Sequence, residues 1–177
     1  MLPPILSAVK KDHPRLKFEV FCDNAADLLP MLERGELDVI VATHHPSAVA
    51  GEIARHEPLH WVAAAEYVDD PQLPLSLVLF PSGCVCRDVA LAALRRIDRP
   101  WHVAYSTRSV GLMERALLEG FSVSVMEASV IPDSLRIIDG QAGLPPLPDV
   151  VISVHRSKTG EAHVALVADS LLTRLGG

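Results

Sequence analysis

The fold is decided at residues 28–40, which read Leu-Leu-Pro-Met-Leu-Glu-Arg-Gly-Glu-Leu-Asp-Val-Ile. Leucines at helical spacing predict a helix over 25–34, and Gly35 is the expected end of that helix. Residues 37–42 follow at once as an apolar run, which predicts a strand that is buried on both faces for most of its length. A helix that turns at a glycine into a buried strand is typical of α/β folds.

The residues before this stretch extend the same alternation. A short helix is predicted over 2–11, and a half-buried strand is predicted over 16–22, where apolar and polar side chains alternate. The first 42 residues therefore follow the order helix, strand, helix, strand, which implies a parallel sheet with helical crossovers. A loop is expected over 43–51.

The rest of the chain predicts a second series of strands and helices, followed by a last strand and helix that belong to the first lobe. The predicted strands are 59–64, 75–80, 101–106, 121–126, 135–138 and 150–155, and the predicted helices are 84–97, 109–119 and 161–175. We expect the chain to cross between two lobes twice, near 59–64 and near 150–155. Because ligands bind beyond the carboxyl ends of strands in open α/β sheets, we expect the ligand site in a cleft between these lobes.

Composition excludes several classes of protein. The 177 residues are 49% hydrophobic and 21% charged, which is typical of a globular protein, and 16 basic against 22 acidic residues give a net charge of −6. An acidic chain without a basic run is not expected to bind nucleic acid directly. Three cysteines make no disulfide framework and favour a reducing compartment. With no signal-peptide pattern and no long apolar stretch, we expect a cytoplasmic protein without membrane contact.

Four local matches, in chain order, carry a resemblance to a known family. They are the opening Leu-Pro-Pro-Ile-Leu with its later His13-Pro14, the 28–40 stretch, the segment 57–64 that begins Glu-Pro-Leu, and the segment 109–126. With these motifs the chain resembles the effector-binding (substrate-binding) domain of LysR-type transcriptional regulators. The 28–40 stretch is the most specific match, and together the four cover nearly the whole chain.

The resemblance implies an α/β fold of the type 2 periplasmic-binding-protein-like kind, with two Rossmann-like lobes joined by two crossing strands. Lobe one would comprise 1–58 and 150–177, and lobe two would comprise 59–149. A full-length regulator of the family also has a winged helix-turn-helix and a linker helix, which bind DNA, and a first strand ahead of the Leu-Pro-Pro helix. We expect the DNA-binding head and that first strand of lobe one to be missing from this chain.

The resemblance also implies partners. The expected ligand is a small-molecule effector, a small anion or carboxylate, and the expected assembly is a homodimer or tetramer. The contacting surfaces would be the first helix and the helix over 89–97, although ordinary core packing explains the same apolar residues. Neither an enzymatic activity nor a cofactor is expected.

Candidate effector-binding residues lie where predicted strands end and helices begin. Backbone N–H groups at a helix N-terminus attract anions, and nearby hydroxyl groups add donors. The candidates before the 84–97 helix are Ser82, Gly83 and Cys84, and those before the 109–119 helix are Ser106, Thr107 and Ser109. Thr43, directly after the 37–42 strand, is the last candidate. The alternative is that Ser82, Thr107 and Ser109 only cap helices.

Three other functions compete with effector sensing. Cys84 and Cys86 at a helix N-terminus would suit a thiol-based redox-sensing regulator, but residues i and i+2 of a helix point to opposite sides, so we expect the pair to be poorly placed. A solute-binding protein on the same fold should be exported, and the absence of a signal-peptide pattern argues against that function. An enzyme should show a nucleophile with a base, and none is evident. The stretch with His44, His45 and further histidines does not match zinc spacing, so no metal site is predicted.

Overall fold

The computed structural model describes residues 2–141, 143–158 and 161–176. Within them the α-helices are α1 (Leu2–Asp12), α2 (Ala25–Glu33), α3 (Val85–Arg96), α4 (Val110–Leu118) and α5 (Ala162–Gly176). The strands are β1 (Val39–His44), β2 (Glu52–Glu57), β3 (Leu59–Ala64), β4 (Leu75–Leu79), β5 (Trp101–Ser106), β6 (Ser124–Glu127), β7 (Leu135–Ile137) and β8 (Val150–Arg156). The chain divides into a first unit, Met1–His56 with Val151–Gly177, and a second unit, Glu57–Val150.

The first unit contains a three-stranded sheet in the order β1-β8-β2. β1 runs antiparallel to β8, with Val39 opposite Arg156 and His44 opposite Val151. The expectation of a parallel pairing built from the first 42 residues was therefore wrong for β1. Residues 16–22 form no ladder within the described part of the chain, so the predicted strand there was also wrong. An alternating pattern allows a strand, but a strand needs a hydrogen-bonding neighbour.

β1 is covered on both faces, as the apolar run at 37–42 predicts. Val39 and Val41 pack into a cluster with residues of α1 and α5, whereas Ile40 and Ala42 pack against Leu28 of α2. The first unit therefore has helices on both sides of its sheet.

β2 was missed by the sequence analysis, which ends its predicted loop at 51 and begins its next strand at 59. Its sequence, Glu-Ile-Ala-Arg-His-Glu, is mostly charged or polar, and most of its side chains are exposed or half-buried. It lies at one end of the sheet, beside β8. Charged side chains are typical of such edge strands, and they conceal the apolar alternation on which prediction depends.

The second unit contains two small sheets. β3 pairs antiparallel with β6 and with β7, and β4 pairs parallel with β5. Its core surrounds Trp61, whose side chain is fully buried and whose indole N–H donates to the carbonyl oxygen of Pro145 at 2.8 Å. Asp139 accepts from the Trp61 backbone N–H at 2.8 Å, which ties the loop after β7 to β3. Among the described helices, none combines the length and the apolar character needed to cross a membrane.

Candidate functional site

The first predicted turn joins β4 to α3. Ser82 and Gly83 form the turn, and Gly83 has a φ of +91°, a backbone conformation that favours glycine. Cys84 is the N-cap residue of α3, and its N–H donates to the carbonyl oxygen of Pro81 at 3.4 Å. Its thiol makes no regular capping hydrogen bond, but it lies close to the backbone N–H groups of Cys86 and Arg87 in the first turn of α3.

Arg87 ties the start of α3 to the end of β4, and it is not among the residues predicted from the sequence. Its guanidinium Nη1 donates to the carbonyl oxygen of Phe80 at 2.9 Å, which links the first turn of α3 to the end of β4. The available sequence signal was its place three residues after Cys84, where a long side chain reaches back over the helix N-terminus.

The second predicted turn joins β5 to α4. Ser109 is the N-cap residue of α4, and its Oγ accepts from the Leu112 N–H at 3.3 Å. Thr107 Oγ1 accepts from the Ser109 N–H at 3.1 Å. Ser109 therefore caps α4, and whether it also contacts a ligand stays a prediction. Capping uses only a lone pair of each oxygen, so both hydroxyl groups keep an O–H to donate to a ligand.

The structure brings these two turns together, and we call residues 81–84 and 106–109 the strand-end turns. β4 and β5 are parallel neighbours with Leu79 opposite Ser106, so both strands end at the same edge of their sheet. The Thr107 N–H donates to the carbonyl oxygen of Leu79 at 3.1 Å, which joins the second turn directly to the end of β4. The helices α3 and α4 therefore begin close to the ends of two neighbouring strands, β4 and β5.

Six of the seven predicted residues lie in the strand-end turns: Ser82, Gly83, Cys84, Ser106, Thr107 and Ser109. Thr43 belongs to the first unit. It lies inside β1, opposite Ile152 of β8, rather than in the loop that was expected after residue 42. β1 runs on through His44, so the predicted end of that strand was two residues early.

The charge around the strand-end turns is mixed. The two helix N-termini each present partial positive charge, and the exposed Arg108 adds a full positive charge to the second turn. Asp88 places a carboxylate in the first turn of α3. The second turn is therefore the more favourable place for an anion.

Cys84 and Cys86 are both free thiols, and each perturbs the pKa of the other. A hydrogen bond from the Cys86 thiol, helped by the backbone N–H groups of Arg87 and Cys86, lowers the pKa of Cys84 to about 7 against the opposing effect of burial. The bond to Cys84 raises the pKa of the buried Cys86, as do burial and the nearby Glu127, whose Oε1 lies 4.0 Å from Cys86 Sγ. Cys84 is the N-cap residue with extended backbone angles, so only Cys86 of the pair lies within the helix.

Two buried histidines meet in the first unit, between β1 and β8. His44 Nε2 lies 2.9 Å from His155 Nε2, and Ser153 Oγ lies 3.0 Å from the same His155 atom. Burial lowers the pKa of both rings, and the neighbouring His44 lowers that of His155 further. His155 is therefore packed and hydrogen-bonded. Among the described residues, no three histidine, cysteine or carboxylate side chains group as a metal site.

Comparison with known proteins decides the family. The model of the LysR substrate binding domain matches residues 1–176. The chain belongs to the LysR substrate-binding domain family. It is 28% identical over 149 residues to the HTH-type transcriptional regulator PecT of Dickeya dadantii (strain 3937), covering 84% of this chain and 47% of PecT. The chain spans about half the length of the curated relatives it matches.

Solved structures confirm the predicted fold. The regulatory domain of CcmR from Synechocystis PCC6803, in complex with 2-PG, superposes with a TM-score of 0.74 at 15% identity, covering 98% of this chain and 90% of that one. The effector binding domain of QuiR, in complex with shikimate, gives a TM-score of 0.69 at 12% identity, with 99% and 90% covered. The LysR substrate-binding domain described here thus has the type 2 periplasmic-binding-protein-like fold of LysR regulatory domains.

Proposed function

We propose that this LysR substrate-binding domain senses a small anionic metabolite, of the carboxylate class, that contacts the strand-end turns. The observation that carries the proposal is the pairing of two helix N-termini at one sheet edge, with the Thr107 N–H bonded to Leu79 at the junction. An anion there accepts from backbone N–H groups, from the O–H groups of Thr107 and Ser109, and from the Arg108 guanidinium. The neighbours bound to 2-PG and to shikimate support a small molecule as the ligand.

We also keep Thr43 of the first unit as a proposed effector-binding residue. The two units of the chain are then the two lobes of the effector-binding domain, and a bound effector favours one arrangement of the regulator over another through its difference in affinity. DNA binding is assigned to the rest of a longer regulator, which acts in the cytoplasm. The domain itself carries out no catalysis, in keeping with relatives that are named as transcriptional regulators.

Self-association is the second half of the proposal. A homodimer or tetramer would use α1 and the end of α3, where Arg95, Arg96 and Ile97 are exposed. Ile5 and Val9 of α1 are buried in the core of the first unit, so they contribute to folding rather than to an interface. Sedimentation equilibrium of wild type and of Ile97→Glu tests this part, because a charge at an interface should shift the equilibrium toward monomer.

A thermal-shift screen against small carboxylates and amino acids tests effector binding. A ligand at a hundred times its Kd stabilises the folded state by about 2.7 kcal/mol. For a chain of this size that amounts to a rise in Tm of roughly 5–11 °C. A Thr107→Val variant should weaken binding of the selected ligand by about 10- to 150-fold, because one hydrogen bond to a charged group contributes about 1.5–3 kcal/mol.

Thr173→Val is the matched control. Thr173 is an exposed threonine of α5 whose Oγ1 bonds to the backbone oxygen of Asp169, so the same chemical change is made in another unit. It should leave ligand affinity unchanged. Equal affinities of the Thr107→Val and wild-type proteins, or no Tm rise with any member of the panel, would contradict the proposal.

Thiol-based sensing is a second candidate, favoured by the Cys84 pKa of about 7. A thiolate attacks hydrogen peroxide at oxygen, giving a sulfenic acid and releasing hydroxide. Mass spectrometry of peptides after peroxide treatment should find one added oxygen atom on Cys84 and none on the buried Cys86. An unmodified Cys84 at peroxide concentrations that oxidise the exposed Cys22 would remove this candidate.

A further inference from the structure

The start of α3 brings two free thiols together. Cys84 is the N-cap residue of the helix, and Cys86 lies in its first turn. The Cys84 backbone is extended, with φ −84° and ψ 125°, so only Cys86 has helical geometry. The Cys86 thiol hydrogen-bonds to the Cys84 sulfur. The two sulfur atoms therefore lie side by side within the second unit.

The two thiols differ in their exposure. Cys86 is 8% exposed and belongs to the apolar core cluster that includes Trp61. Cys84 is half-buried and packs against the edge of the same cluster. An ion therefore reaches the two sulfur atoms from the Cys84 side, while the core excludes water behind Cys86. An apolar shell of this kind limits the access of solvent to a metal–ligand bond.

Backbone donors hold the Cys84 sulfur in place. The N–H groups of Cys86 and Arg87 bond to it, and the N-terminus of α3 adds partial positive charge. Hydrogen bonds to a ligating atom fix its position and stabilise its negative charge. The Cys84 sulfur is therefore oriented as an electron-pair donor before any ion binds.

The number of ligating side chains decides which ions fit. Glu127 is the nearby carboxylate, with its Oε1 4.0 Å from Cys86 Sγ. In the part of the chain that the structure describes, no three histidine, cysteine or carboxylate side chains group as a metal site, so Glu127 is a neighbouring charge and not a third ligand. Structural zinc sites need four ligands. Soft ions such as Cu(I) prefer thiolates, and two sulfur atoms suit an ion of low coordination number.

We propose that Cys84 and Cys86, which we call the thiol pair, bind one soft monovalent cation of the Cu(I) and Ag(I) class between their sulfur atoms. The ion bonds to both sulfur atoms, each S–H proton is released to solvent, and nothing is oxidised or reduced. The product carries a single net negative charge, which the N-terminus of α3 helps to balance. Metal–sulfur bonds of about 2.3 Å separate two bridged sulfur atoms by at most about 4.6 Å, and rotation of the half-buried Cys84 side chain supplies that opening.

The thiol pair is independent of the effector proposal. It shares Cys84 with the strand-end turns, but its ligand is a cation and not a carboxylate. Loss of ion binding would leave the carboxylate thermal-shift screen unchanged, so the two proposals fail separately.

Silver(I) is the ion used in the test, and glutathione is the competitor. Glutathione carries one thiol per molecule, whereas the thiol pair holds its second sulfur at a high effective concentration. In native mass spectrometry with about 1 mM glutathione, the reduced chain should therefore keep one silver ion. The exposed Cys22, a lone thiol, should lose its silver under the same conditions. A wild-type chain that keeps no silver would overturn the proposal.

Three cysteine variants assign the ion to the thiol pair. Cys84→Ser and Cys86→Ala should each weaken silver binding at least a hundredfold, because either change leaves a single thiol. Serine is a good N-cap residue and alanine suits a small buried position, so both variants should keep the wild-type far-UV circular dichroism spectrum. Cys22→Ser is the matched control and should keep its silver ion. Retention by Cys84→Ser or by Cys86→Ala, or loss from Cys22→Ser, would overturn the proposal.

The coordination of the bound ion gives a second measurement. X-ray absorption at the silver edge of the Cys22→Ser protein should show two sulfur neighbours and no nitrogen or oxygen neighbour. Zinc(II) in place of silver should not be retained against glutathione, because the thiol pair lacks the four ligands that zinc needs. Retained zinc, or a silver ion that links two chains into a dimer, would show that the thiol pair is not the two-coordinate site proposed.

Discussion

Gly51 lies in the first unit at a point where a side chain does not fit. Its φ is +78°, and a Cβ added there would lie 2.8 Å from His155 Cε1 and 2.8 Å from the backbone oxygen of Val154. A left-handed backbone costs an alanine about 1–2 kcal/mol. Overpacking against a ring and a backbone carbonyl adds about 1–3 kcal/mol. Gly51→Ala should therefore reduce the free energy of unfolding by about 2–5 kcal/mol, or lower Tm by roughly 5–15 °C.

Gly35→Ala is the matched control. Gly35 has a nearly equal φ of +72°, but a Cβ there would have no atom within 4 Å, so only the backbone cost of about 1–2 kcal/mol remains. Urea unfolding should be followed by far-UV circular dichroism, because Trp61 and Trp101 both belong to the second unit and do not report on the first. If the two variants were destabilised equally, to within about 0.5 kcal/mol, the close packing of Gly51 against His155 would be refuted.

Three further predictions concern the two buried histidines, the half-buried Cys84 and the carboxylate of Asp139. Burial lowers the pKa of His44 and His155, so below pH about 6.5 the unfolded chain binds more protons than the folded chain. The free energy of unfolding should therefore fall as the pH drops. A free energy of unfolding that stays constant from pH about 7.5 to 5, measured by urea unfolding, would be inconsistent with this. Alkylation of Cys84 by iodoacetamide, followed by peptide mass spectrometry, should reach half its maximal rate near pH 7; a midpoint near 9 would argue for an ordinary thiol. Asp139→Ala leaves the backbone N–H of Trp61 without its acceptor and should cost about 1–3 kcal/mol in thermal unfolding, whereas an unchanged Tm would count against that bond.

Local sequence was enough to predict most elements but not their pairing. The 28–40 stretch predicts α2, the turn at Gly35 and the burial of β1 on both faces, since each depends on residues close together in the chain. Residues 16–22 have the alternation of a strand, yet they form no ladder among the described residues. A ladder depends on a neighbour that the local pattern does not contain.

The features of the candidate site likewise divide into those that local sequence predicts and those that depend on contacts between separate elements. Ser109 was identified from its place before a helix, and it caps α4. The bond from Arg87 to Phe80 and the contact of His44 with His155, which are 111 positions apart, arise from the packing of separate elements. The helix α3 begins at Val85, one residue later than predicted, so Cys84 lies at the N-cap rather than within the helix.

Hydrogen–deuterium exchange tests the central claim most directly, with and without a carboxylate that raises the Tm of the domain. If this LysR substrate-binding domain holds its effector at the strand-end turns, exchange should slow at the amides of 83–87 and 107–112, where α3 and α4 begin. Slowed exchange confined to other segments, or no carboxylate that alters exchange at these amides, would contradict the assignment of the effector site.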